Sequence, residues 1–122
     1  MKQPLTVSSE TLKDTVLNAA REKKAFKLAY LDFSTLQGPV SGFFFICNGN
    51  SQTQVQAITD EIKRELIEKH DIRPLHVEGY SRGEWILMDY GFALIHVFQP
   101  HVRLYYRLED LWGDAPSQFW EE

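Results

Sequence analysis

Gly49-Asn50-Ser51, between an apolar run and an amphipathic one, is the first place in this sequence where chemistry could reside. A loop of small residues leading into a helix can cradle a phosphate, because the first backbone N–H groups of a helix lack partners and carry the positive end of its dipole. The Gly-x-Gly-x-x-Gly pattern is missing and so is a Gly-Lys-Ser/Thr ending, so the stretch reads first as a plain capped helix. Metal-assisted nucleotidyl transfer would need clustered carboxylates for two cations. No two acidic residues stand at i and i+2, so no strand can present an acidic pair on one face. His70, His76, His96 and His101 form no His-x-x-x-His or Glu-x-x-His spacing, which leaves them structural or incidental. Cys47, the only cysteine, ends an apolar run without a Cys/His/Asn signature and reads as a small buried side chain rather than a nucleophile. Catalytic and metal-binding residues are thus expected to be absent, and no cofactor is implied.

The elements that would position any site follow from periodicity. Ser8, Ser9 and Glu10 read as a helix start, with Leu12, Val16, Ala19 and Ala20 at helical spacing up to the basic end Arg21 to Lys24. Phe26 to Phe33 alternates, Leu28, Tyr30 and Asp32 on one face and Lys27, Ala29, Leu31 and Phe33 on the other, as a strand does. Phe43 to Cys47 is apolar throughout and too short for a buried helix, which predicts a central strand covered on both faces. Ser51 and Gln54 have capping-box spacing, and Val55, Ile58, Ile62 and Leu66 stripe the helix that follows, with Asp60, Glu61, Lys63, Arg64, Glu65 and Glu68 on its wet side. Leu75 to Glu78, Trp85 to Tyr90 and Phe92 to Gln99 read as three strands with a turn at Gly91, and Leu104, Leu108 and Leu111 stripe a last short helix. The order helix, two strands, helix, three strands, helix predicts one α/β domain with a mixed five-stranded sheet flanked by helices. We place it at residues 8–115, with 1–7 and 116–122 as short terminal extensions.

Length and charge bound the function. At 122 residues and 43% hydrophobic composition one core can form without disulfides or metal staples. A net charge of -4 argues against wholesale neutralisation of nucleic-acid phosphates. The lone cysteine, and the lack of any apolar run long enough for a leader or a membrane span, predict a soluble, cytoplasmic protein. Residues 84–122 carry seven acids against two bases, together with all three tryptophans and nine of the sixteen aromatics. Aromatics beside carboxylates without catalytic spacing suit a docking surface for a basic protein, although a solvated acidic face over an aromatic core would leave the same composition.

EGYSRGEWILMDYGFALIHVF from Glu78 and LYYRLEDLWGDA from Leu104, with LDF at Leu31 and FFFICNGNSQTQVQAITDEI from Phe43, resemble the ribosomal silencing factor family, also called Iojap-like. The likeness runs from about Leu12 to Ala115, and the Trp-x-x-x-Asp-Tyr-Gly and Tyr-Tyr-x-Leu-Glu-x-Leu-Trp blocks are specific in combination. It implies a fold distantly like that of nucleotidyltransferases but without their catalytic carboxylates, and a non-enzymatic role. Members bind large-subunit ribosomal protein fourteen on the large ribosomal subunit, block association with the small subunit and repress translation under nutrient limitation. The resemblance also allows a minor contact with ribosomal RNA and leaves open a homodimer in the free state; no membrane is implied.

The residues that match the family blocks are Trp85, Asp89, Tyr90, Gly91, His96, Tyr105, Tyr106, Leu108, Glu109 and Trp112. Gly42 and Phe92 depart, each standing where the family usually has Asp. The expected partner-binding set is Trp85, Met88, Asp89, Tyr90, Gly91, Tyr105, Tyr106 and Glu109, gathered near Gly91, where a strand end turns both of its rows outward. Two other readings stand beside it: a nucleotide-binding transferase-like protein resting on Gly49 to Ser51, and an RNA-binding module resting on Lys13, Arg21, Lys23, Lys24 and Lys27.

Overall fold

The computed structural model describes residues 8–32, 42–107 and 117–120. Helix α1 (Ser9–Glu22) is followed by strands β1 (Phe26–Asp32) and β2 (Phe43–Asn48), helix α2 (Gln52–His70), strands β3 (His76–Glu78), β4 (Trp85–Asp89) and β5 (Ala93–Phe98), helix α3 (Pro100–Tyr106) and strand β6 (Ser117–Trp120). They form a single α/β domain around one mixed sheet of order β3-β4-β5-β2-β1-β6. The sheet has six strands, not the five expected. Ser117–Trp120, read from sequence as terminal extension, pairs antiparallel with β1, Leu28 opposite Trp120 and Leu31 opposite Ser117. Four residues behind a proline are too few for alternation to announce a strand.

β2 and β5 are the parallel pair, in register from Phe43 with Ala93 to Asn48 with Phe98, and the other pairings are antiparallel. Every residue of β2 is buried, as its unbroken apolar run predicts. Phe43, Phe45 and Cys47 enter the larger core with Leu28 and Tyr30, while Phe44 and Ile46 join Ala29, Leu31 and Phe98 on the opposite face. The helices α1 and α2 cover the first face. Val55, Ile58, Ile62 and Leu66 are all buried there, each worth about 2 kcal/mol of transfer free energy. Glu61 and Glu65, placed by periodicity on the wet side, are instead buried. Ion pairs cover them: Arg64 binds Glu61, and Lys69 Nζ lies 2.9 Å from Glu65 Oε1.

Caps fix the helix starts. Ser8 Oγ accepts from the Thr11 N–H at 3.1 Å and Ser51 Oγ from the Gln54 N–H at 3.0 Å. The Gln54 side chain accepts from the Asn50 N–H at 2.7 Å and donates to the Lys23 and Lys24 carbonyls, tying the start of α2 to the turn behind α1. Pro100, expected only to stop β5, also opens α3, where its missing N–H costs nothing. Leu104 lies on α3 but is exposed; Leu108 and Leu111 lie outside the described residues.

The register of β1 slips between Phe26, opposite Asn48, and Ala29, opposite Ile46, so that Lys27 and Leu28 together face one residue of β2. Lys27 has φ +53°, the left-handed region. The two departures from the family pattern meet: Gly42 has φ +94°, and a Cβ there would lie 1.6 Å from the Phe92 carbonyl oxygen. The N–H of Phe43 donates to that same carbonyl at 3.1 Å. Glycine at 42 is therefore what lets the start of β2 pass so close to the β4–β5 turn.

Candidate functional site

Gly49 to Ser51 is a packed turn and not a cradle. The Gly49 N–H donates to the Phe98 carbonyl at 2.8 Å and the Asn50 N–H to Gln54, so both donors are consumed. A Cβ on Gly49 would meet Val55 and Ile58 side chains at 3.1 Å, which shows how tightly the turn lies on α2. Cys47 is fully buried, and burial pushes its thiol up to about 12, away from a reactive thiolate. Among the described residues no three His, Cys, Asp or Glu side chains are grouped to hold a metal ion, and no helix is long and apolar enough to cross a membrane.

The eight residues expected to bind a partner do not share one surface. Alternation along β4 decides the split: Ile86 and Met88 point into the helix-covered core, and Trp85, Leu87 and Asp89 point to the other face. Met88 is fully buried and Tyr90 nearly so, with its hydroxyl pKa raised by burial. Neither can touch a partner in this fold. Asp89 and Gly91 sit together at one end, where the Asp89 carboxylate accepts from the Gly91 N–H at 2.8 Å. Glu109 lies outside the described residues.

Tyr105 and Tyr106 stand at the other end of β4, contrary to the expected gathering at Gly91. The reason is register: Trp85 lies opposite Phe98, the last residue of β5, and α3 begins two residues later. The helix therefore folds back over Trp85. Its Tyr106 ring packs on the indole at 4.8 Å between centroids, and Tyr105 meets Tyr106 edge-on at 5.0 Å. Leu104, Tyr105 and Tyr106 remain 73%, 79% and 49% exposed, and neighbouring exposed apolar side chains are the usual material of interaction surfaces. Beside them a hollow of about 420 Å³ is lined by Gly79, Arg82, Glu84, Trp85, His101 and the two tyrosines. Gly79, Arg82, His101 and Leu104 were missed by sequence reasoning. Leu104 carried a signal, an apolar residue on a short terminal helix, but it reads equally as core.

Trp85 is held from behind by His96. The indole N–H donates to His96 Nδ1 at 3.1 Å, and the imidazole lies against Phe44 at 5.1 Å and parallel to Phe98 at 6.0 Å. Burial in this apolar setting drives its pKa down to about 4, so the ring is neutral at physiological pH and offers Nδ1 as an acceptor. The site is thus an aromatic anchor with exposed tyrosines in front, which are the parts of a protein interface.

Comparison with known proteins gives this arrangement a context. The family profile described as "Ribosomal silencing factor during starvation" matches residues 6–122. The chain is 40% identical over 111 residues to "Ribosomal silencing factor RsfS" of Halalkalibacterium halodurans, covering 91% of this chain and 93% of that one. It is 42% identical over 98 residues to the protein of the same name from Bacillus subtilis, covering 80% and 81%. A crystal structure of a Chromobacterium violaceum protein superposes with a TM-score of 0.81 at 30% identity over 88% of each chain. With a profile match along nearly its whole length and relatives of matching size and fold, this chain belongs to the ribosomal silencing factor family.

Proposed function

We propose that this protein docks on the large ribosomal subunit through large-subunit ribosomal protein fourteen, and so blocks association with the small subunit and represses translation when nutrients are short. The observation that carries the reading is the exposed pair Tyr105 and Tyr106, with the Tyr106 ring packed against Trp85, in a chain whose family is that of silencing factors. Steric inhibition needs shape and affinity only, which agrees with a site made of rings. Catalysis has no part in it, and the distant kinship with nucleotidyltransferases would be one of fold alone. Ribosomal RNA would contribute a minor contact. A homodimer of the free protein belongs to the same reading, with the cytoplasm as the compartment.

Light scattering of subunit association tests the reading. Large subunits preincubated with excess protein should join small subunits more slowly and to a lower plateau, while preformed ribosomes retain little of the protein on sedimentation. Equal retention by large subunits and intact ribosomes would contradict steric blocking. Incubation with nucleoside triphosphates and Mg²⁺ should yield no transfer product; a specific activity that disappears in Ser51→Ala would revive the transferase reading.

A further inference from the structure

Seven residues make a helix too short to persist by itself, and α3 has no side-chain cap at its start. It does not make up for this by burying an apolar stripe. Arg103 is its one buried residue, while Leu104, Tyr105 and Tyr106 are exposed and Val102 is only partly covered. A guanidinium therefore stands where a helix packed on a sheet would ordinarily place an aliphatic side chain.

The partners of Arg103 come from two strands. Its Nη1 donates to Asn48 Oδ1 at 3.0 Å, at the carboxyl end of β2, and to the Lys27 carbonyl in β1. Lys27 stands in the bulge of β1, outside the register with β2 and at φ +53°, so its carbonyl is aimed at α3 rather than along the ladder. The strain of a non-glycine residue in the left-handed region thus supplies the second acceptor.

Gln99 fixes the start of α3: its N–H donates to the Glu84 carbonyl at 2.8 Å and its side-chain amide to the Gly83 carbonyl at 2.9 Å. An attachment at one end leaves a helix able to turn about its own axis. A planar guanidinium bound to two fixed acceptors removes that freedom. Tyr106, three residues on and so only about 60° round the helix from Arg103, is then brought onto the Trp85 indole at 4.8 Å.

We infer that Arg103 is the positioning residue of the proposed docking patch: bound to Asn48 and to the Lys27 carbonyl, it sets the rotation of α3 and so lays Tyr106 on Trp85, without itself touching the partner. The inference rests on docking through these tyrosines.

The test compares Arg103→Met, Asn48→Ala and Asn48→Asp in the full chain, by the nuclear Overhauser contact between the Tyr106 ring and the Trp85 indole in the free protein and by co-sedimentation with large subunits. Arg103→Met and Asn48→Ala lower Tm as well, because each leaves a buried polar group without a partner, so the ring contact is read at a temperature where the variant is folded. Both should lose the contact and weaken large-subunit binding at least about tenfold, as the loss of one aromatic anchor does. Asn48→Asp keeps an acceptor for Nη1 and should restore both readouts. The double variant Arg103→Met with Asn48→Ala should bind no worse than Arg103→Met alone. If Arg103→Met does not fold, the two Asn48 variants, which leave the arginine in place, decide the question. An intact ring contact in folded Arg103→Met or Asn48→Ala, or equal losses in Asn48→Asp and Asn48→Ala, would overturn the inference. Should large subunits retain a protein without Tyr105 and Tyr106, docking through the tyrosines fails, while the ring contact in the free protein still reads what Arg103 does.

Discussion

Acidification from pH 7 to pH 4 is expected to cost this fold about 3 kcal/mol through His96 alone, whose burial drives its pKa down to about 4, well below the ordinary imidazole value. The neutral imidazole is the form the fold holds, so the unfolded chain binds more protons between the two pKa values. Stability is therefore complete above about pH 6.5 and falls as pH drops towards 4, with no further loss from this group below that. Protonation of Nδ1 also removes the acceptor of the Trp85 indole N–H, so the anchor of the proposed docking patch should loosen over the same range. Denaturant unfolding followed by tryptophan fluorescence at a series of pH values measures the slope. His96→Asn should flatten it between pH 6.5 and 4, and a parent curve already flat there would show that His96 titrates normally.

Gly79→Ala should be the most damaging single methyl addition near the site. Gly79 has φ +83°, and a Cβ there would sit 2.2 Å from the carbonyl oxygen of Trp85, a backbone atom that cannot swing aside. The left-handed conformation costs about 1–2 kcal/mol for an L side chain. Relieving the overlap by shifting β4 adds a further penalty of about 1–3 kcal/mol. A loss of about 3 kcal/mol or more is expected by chemical denaturation, and the fraction that remains folded should dock poorly, because the shift falls on Trp85. Ser81→Ala, in the same exposed loop, serves as the control and should stay within about 0.5 kcal/mol of the parent. Equal stability of Gly79→Ala and the parent would mean that the loop backbone is not held as described.

Periodicity made most of the fold legible because each long element has one apolar pattern and little competition. The buried run Phe43 to Cys47 and the stripe Val55, Ile58, Ile62 and Leu66 are such cases. Local rules also foresaw Ser51 as a cap. What stayed hidden depends on long-range register. That α3 meets Trp85 and not Gly91 follows from the antiparallel pairing of Trp85 with Phe98, which no local pattern encodes. The sixth strand exists because β1 offers an edge, and the slip that turns Lys27 into the left-handed region leaves no mark in the alternation of β1. Alternation along β4 narrowed the docking set to two rows but could not choose between them. The helices covering Ile86 and Met88 make that choice.

Co-sedimentation of purified large subunits with two charge- and ring-altered proteins reads the central claim most directly. The first carries Tyr105→Ala with Tyr106→Ala at the aromatic end; the second carries Asp89→Lys, about 13 Å away along β4. Loss of buried aromatic anchors costs about 2 kcal/mol or more each, so the tyrosine variant should leave the large-subunit fraction, with affinity reduced at least about thirtyfold, while melting cooperatively. Asp89→Lys should remain bound to within a few-fold. Retention of the tyrosine variant at the parent level, with loss of Asp89→Lys, would place the docking surface at the Gly91 end and contradict the account.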